Sequence, residues 1–97
     1  MNMIEAMRDT VALMERGWAA ADNDKRWHIQ YLDKSLQPEH LRDMLQIMES
    51  GNNPQHPGEQ FSESKMGRWL GWAQAAVTAM GFASLDEMKA TNKRWSK

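Results

Sequence analysis

A stripe of small residues in the stretch KMGRWLGWAQAAVTAMG constrains the fold of this 97-residue chain more than any other feature. The residues that recur there at every fourth position are Gly67, Gly71, Ala75 and Ala79. On a helix of 3.6 residues per turn, this spacing places them along one nearly straight line that carries little side chain. Glycine costs about 1 kcal/mol relative to alanine inside a helix, so the two glycines indicate that another backbone approaches closely. That neighbour belongs either to the same chain or to a second copy.

The same stretch predicts a long helix at about residues 62–80, with Ser62 as its N-cap and Gly81 as its C-terminal stop. Large apolar residues cover a second, wide arc of this helix: Met66, Trp69, Leu70, Ala73, Val77 and Met80. A helix that is apolar over so much of its circumference is normally buried on two sides. We therefore expect it to be the central helix of a bundle or the helix at a dimer seam.

Helical periodicity also appears before this segment. Apolar residues spaced three and four apart predict a first helix over about residues 3–22. Residues 25 to about 36 predict a second helix, in which Trp27, Tyr31 and Leu32 share one face while Ile29 points away from it. Pro38 suits the first position of a third helix, which Gly51 ends.

The remaining segments complete an all-α chain. Ser84 and Glu87 have the spacing of a capping box that opens a fifth helix. Two prolines and two glycines in the sequence GNNPQHPGEQ at 51–60 predict a surface loop. No segment shows the alternation of a strand, and 97 residues leave no room for a second core. We expect one domain, residues 1–97, folded as a compact bundle of four or five helices, in which the loop separates helices 1–3 from helices 4–5.

Composition argues against catalysis. The chain has no cysteine, which excludes thiol nucleophiles, disulfides and thiolate zinc sites. The three histidines, His28, His40 and His56, lack the spacing of metal-binding motifs, and the aspartates at 22 and 24 are explained by helix capping. We therefore expect that the chain is not an enzyme and that it binds neither a metal ion nor a cofactor.

Charge and hydropathy indicate what kinds of partner the chain has. Residues 1–60 carry a net charge of −4 and residues 61–97 a net charge of +3, which fits docking of the two halves or head-to-tail association. The longest weakly polar run, residues 66–82, is shorter than the ~20 residues that a bilayer span needs, and it contains Arg68. We expect a cytoplasmic protein that does not bind a membrane.

Residues 74–95 look superficially like a helix-turn-helix, with Gly81 in the turn. Asp86 and Glu87, however, lie at the start of the helix that would have to read DNA, where their carboxylates repel phosphates. A small DNA-binding regulator with a degenerate helix-turn-helix is therefore the alternative, and nucleic acid is not the expected partner.

Nine methionines and five tryptophans fit either a core of large residues or a surface that binds another protein. Trp72, Arg94 and Trp95 are the candidate contact residues, because tryptophan beside a basic residue is frequent at interfaces. Trp95 either faces solvent or folds back onto the bundle. The small-residue stripe also suits close packing against a second copy of the chain, so we expect a homodimer.

Residues 66–93, MGRWLGWAQAAVTAMGFASLDEMKATNK, carry a family resemblance. The features RWLG, Gln74, Gly81, the helix start LDEM and Asn92 resemble the C-terminal part of small uncharacterised proteins encoded by tailed phages and prophages. HLRDML at 40–45 is loosely similar to the N-terminal helices of those proteins. The resemblance implies an accessory role in a bacterial host, of which inhibition of a host factor is one form, and it implies no catalytic residues.

Overall fold

A computed structural model of the chain describes residues 1–96. Within this range five α-helices and one short 3₁₀ turn form an all-α bundle, which confirms the predicted fold class. The helices are α1 (Met3–Ala20), α2 (Asn23–Ile29), α3 (Pro38–Ser50), α4 (Glu63–Ala79) and α5 (Leu85–Arg94), and the 3₁₀ turn is Lys34–Leu36.

Local sequence signals set several helix ends as predicted. The Ser62 side chain accepts a hydrogen bond of 3.1 Å from the backbone N–H of Lys65 at the start of α4. Ser84 and Glu87 form a complete capping box at the start of α5, in which each side chain accepts from the other residue's backbone N–H. Gly51 ends α3 with a φ of 73°, a conformation that costs glycine little because it has no Cβ.

The second helix is shorter than predicted. It ends at Ile29 instead of continuing to about residue 36, because other groups take over the hydrogen bonding there. Gln37 Nε2 donates to the carbonyl oxygens of Ile29 and Leu32, at 2.9 and 3.3 Å. The Asp33 side chain then accepts from the backbone N–H of Ser35 at 2.9 Å and opens the 3₁₀ turn.

The buried side of α2 is that of Ile29, and the face that Trp27, Tyr31 and Leu32 share is exposed. Ile29 is buried, whereas Trp27 is 57% exposed and Tyr31 is 69% exposed. The two aromatic rings contact each other edge to face at the surface, with their centroids 5.3 Å apart. A helix of seven residues has too few positions for its apolar pattern to decide which side packs against the bundle.

α1 is at the centre of the bundle, where it packs against α3, α4 and α5. α4 packs mainly against α1 and to a smaller extent against α3. The buried residues of α4 include Leu70, Ala73 and Val77, which lie on the apolar arc predicted for this helix. One arc of α4 faces solvent in the single chain, so burial of this helix on a second side, at a dimer seam, stays a prediction.

Methionine fills much of the core. Six of the nine methionines are buried: Met7, Met14, Met44, Met48, Met80 and Met88. The methionine side chain is unbranched and flexible, so it fits the irregular gaps between helices that cross at different angles. Methionine is thus as frequent in the buried core as valine, isoleucine and leucine together.

A close approach of the kind that the sequence assigned to α4 occurs in α1. A Cβ added to Gly17 would lie 2.7 Å from the Cβ of Phe82 and closer still to its ring. Only glycine therefore fits beneath this ring without movement of the neighbours. The contact closes the end of α1 against the turn between α4 and α5.

The loop at 51–60 is tied to α4 by a buried lysine. Lys65 is only 8% exposed, and its ammonium group donates to Asn53 Oδ1 at 3.2 Å and to Gln55 Oε1 at 2.8 Å. The ammonium nitrogen also lies within 5.5 Å of the centroids of two aromatic rings, those of Phe61 and Trp69. The predicted surface loop is therefore compact, with one side held against the bundle.

Candidate protein-interaction surface

The small-residue stripe lies on the exposed arc of α4. All four of its residues are exposed, and a Cβ added to Gly71 would meet no atom within 4 Å. A Cβ added to Gly67 would meet only the Met3 sulfur, at 3.7 Å. Neither glycine of the stripe thus has a backbone neighbour within 4 Å of its Cβ position in residues 1–96, and a second copy as the neighbour of the stripe stays a prediction.

A groove runs along the stripe between α4 and α5. Its volume is about 540 Å³. Gly71, Ala75 and Ala79 form its floor on the α4 side, and Leu85 and Met88 line it from α5. We call this feature the α4–α5 groove. Leu85 is 61% exposed.

The half of α4 that borders the groove carries no charge. Residues 71–80 contain no acidic or basic side chain. The floor is also energetically unfavourable for a free helix, because Gly71 costs about 1 kcal/mol relative to alanine while no neighbouring atom requires a glycine there. An exposed, uncharged helix surface with an unexplained glycine is suited to contact with another protein.

A pair of side-chain amides sets α5 beside α4 at the groove. Gln74 Nε2 donates to Asn92 Oδ1 at 2.7 Å, and Asn92 Nδ2 donates to Gln74 Oε1 at 3.2 Å. Both residues are partly buried, so the reciprocal pair resists separation of the two helices. A polar contact that itself lines the groove therefore joins the two helices that form it.

Trp72 lies beside the stripe and is 44% exposed. Its indole N–H donates to the carbonyl oxygen of Ser35 at 3.0 Å, which fixes the ring on the surface. A tryptophan held in this way presents carbon surface to a partner with little further loss of side-chain freedom. Its position fits the predicted contact role.

Arg94 and Trp95 are engaged within the chain. Trp95 has the folded-back arrangement, with its indole N–H donating to Asp9 Oδ2 at 2.7 Å and its carbonyl oxygen accepting from Asn2 N at 2.6 Å. Arg94 donates to the same Asp9 oxygen at 3.0 Å. Both residues join the end of α5 to α1. Their polar groups are therefore already hydrogen-bonded within the chain before any partner protein binds.

An aromatic patch on the face that Trp27, Tyr31 and Leu32 share extends this surface. It consists of Trp27, Tyr31 and Leu32, all exposed on or just after α2. Leu32 and Ala79 line one shallow depression, so the patch meets the end of the stripe there. Sequence reasoning missed the patch, because aromatic residues on a helix are usually buried.

The predicted helix-turn-helix region consists of α4, the turn at residues 80–84 and α5. Asp86 and Glu87 are exposed in the first turn of α5. The side chain of Glu87 belongs to the capping box, and the basic Arg94 at the other end is paired with Asp9. The acidic end of α5 is therefore the end that DNA would have to approach.

The described part of the chain contains no cluster of three or more His, Asp or Glu side chains arranged for a metal ion. None of the helices within residues 1–96 has both the length and the apolar content needed to cross a bilayer. No protein-family model matches this chain, and neither the curated proteins nor the solved structures that were searched contain a match.

Proposed function

We propose that this chain is a non-enzymatic accessory protein that acts through protein–protein contacts and self-associates as a homodimer. The observation that carries the proposal is the exposed arc of α4, where small and uncharged residues form one side of an open groove that no other segment of residues 1–96 covers. A surface of this kind costs stability in a free helix, and a partner that packs closely against it offsets that cost.

The chain also offers two kinds of anchor for a second, different partner. Trp72 is fixed beside the groove, and the aromatic patch of Trp27, Tyr31 and Leu32 lies at its far end. Large aromatic side chains supply much of the binding energy at protein interfaces. The resemblance of residues 66–93 to phage and prophage proteins supports a factor of the bacterial cytoplasm as this partner.

Light scattering over a wide concentration range tests self-association. We expect the wild type to reach the mass of a dimer, and Gly71→Leu to remain a monomer because the leucine fills the groove floor. Ala90→Leu is the matched control, since Ala90 is also exposed but lies on the side of α5 that faces α1. A wild type that stays monomeric at the highest concentration contradicts the homodimer.

Binding to duplex DNA at low salt tests the alternative function. We expect no binding, because the accessible end of α5 is acidic. Binding that weakens steeply as salt is added would contradict the proposal and favour the DNA-binding regulator.

A further inference from the structure

We propose that a second copy of this chain occupies the α4–α5 groove in an antiparallel, two-fold arrangement, with Leu85 of each copy packed at Gly71 of the other. This inference rests on the proposed self-association and adds its geometry. The two ends of the groove have complementary shapes, and this complementarity is the first support for the two-fold arrangement.

Leu85 projects at the end of the groove near Ala79, and Gly71 leaves open space at the other end. Ala75 lies midway between Gly71 and Ala79, which are about 12 Å apart along a helix. A two-fold axis through Ala75 therefore carries each exposed leucine to the open end of the partner's groove. A two-fold interface requires such self-complementarity, because the same patch serves both subunits.

The charges at the ends of the groove fit the same arrangement. Arg68 is exposed one turn before Gly71, where its guanidinium donates to Ser64 Oγ at 3.0 Å. Asp86 is exposed next to Leu85. Within residues 1–96 neither Arg68 nor Asp86 forms an ion pair. The antiparallel arrangement brings Asp86 of each copy to the end of the partner's α4 that carries Arg68.

The uncharged floor between these two ends fits a copy of itself better than a charged partner. Residues 71–80 contain no ionisable group, so the α4 sides of two grooves meet without burying a charge, and the one ionisable residue that lines the groove is Lys89 of α5, which is exposed. The small residues let the two α4 helices approach closely. The interface thus has an apolar centre, with opposite charges at its two ends.

Charge exchange tests the arrangement. We expect Arg68→Glu and Asp86→Arg to weaken the dimer about tenfold each, and the double variant to return to within about threefold of the wild-type dissociation constant. Both side chains are exposed, so folding is unaffected, which circular dichroism checks. If the double variant dimerises as weakly as each single variant, the inference is overturned.

Cysteine cross-linking gives an independent test, because the chain has no cysteine of its own. We expect Ala75→Cys to form a disulfide-linked dimer on mild oxidation, since a residue on the axis faces its own copy. Ala90→Cys, on the other side of α5, is the control and should stay monomeric. A chain that dimerises by light scattering but does not cross-link through residue 75 overturns this geometry and leaves the homodimer standing. A chain that is monomeric by light scattering overturns both.

Discussion

Gly17 of α1 lies directly beneath the ring of Phe82, at a distance that leaves no room for a Cβ. These residues are far apart in the sequence, and their contact fixes the end of the central helix against the α4–α5 turn. The Lys25 ammonium group lies 4.8 Å from the centroid of the same ring. A single methyl group at position 17 would therefore disturb three segments of the chain.

We predict that Gly17→Ala destabilises the protein by about 1–3 kcal/mol, although alanine is the better helix former, because the added methyl group overlaps the Phe82 ring. Urea denaturation measures the free energy of unfolding. In a Phe82→Gly background both the ring and its Cβ are gone, so Gly17→Ala should instead stabilise the helix by up to about 1 kcal/mol. The same loss in both backgrounds would show that the contact with Phe82 is not the cause.

The junction between α5 and α1 should depend more on Trp95 than on Arg94. Trp95→Phe removes the indole N–H donor to Asp9 and should cost about 1–2 kcal/mol. Arg94→Gln removes an ion pair whose arginine side chain is 62% exposed, and should cost less than about 1 kcal/mol. Thermal denaturation of the two variants compares them, and the reverse order would contradict the folded-back role of Trp95.

Lys65 should control the order of the loop at 51–60. Lys65→Met keeps the apolar stem beneath Phe61 and Trp69 but removes both hydrogen bonds to the loop. We expect faster hydrogen exchange across the loop and a loss of about 1–2 kcal/mol, because bonds from a charged donor are lost. Lys93→Met, at an exposed lysine of α5, is the control and should change neither. If hydrogen exchange in the loop is unchanged and the protein becomes more stable, burial of the ammonium group destabilises the protein and does not order the loop.

Asp33 gives the 3₁₀ turn a dependence on pH. Hydrogen bonds from the backbone N–H and the hydroxyl of Ser35 lower the pKa of this carboxyl below its ordinary 3.8. Its contribution to stability is therefore complete above pH 3.8 and is lost as the pH falls through the lower pKa of the folded state. We expect Asp33→Asn to be less stable than the wild type at neutral pH, because it lacks the charged acceptor, and the two to converge in acid as the wild type loses this contribution. Urea midpoints measured over a pH series check this, and parallel curves would contradict it.

The features that sequence analysis predicted correctly depend on near neighbours along the chain. Ser62 caps the residue three positions on, and Gly51 ends the helix that it follows. Both effects act within one turn of a helix, so the local sequence is sufficient to predict them. The buried arc of α4 is also correct, because a helix of 17 residues has enough positions to define a face.

The features that it missed depend on contacts between distant segments. The burial of Ile29 instead of Trp27 depends on where a seven-residue helix meets the bundle. The need for glycine at position 17 depends on Phe82, which no local pattern links to it. The stripe on α4 predicts that a close neighbour exists, but the pattern contains no information about which chain supplies it.

The methionine core has a consequence for the lifetime of the protein in an oxidising environment. Oxidation turns a buried thioether into a polar sulfoxide, which the closed core cannot accommodate. Peroxide therefore reaches these six buried sulfur atoms only in molecules whose bundle has unfolded. An oxidised molecule then does not refold until a reductase restores the thioether. The rate at which folded protein is lost under peroxide therefore reports how often the bundle opens.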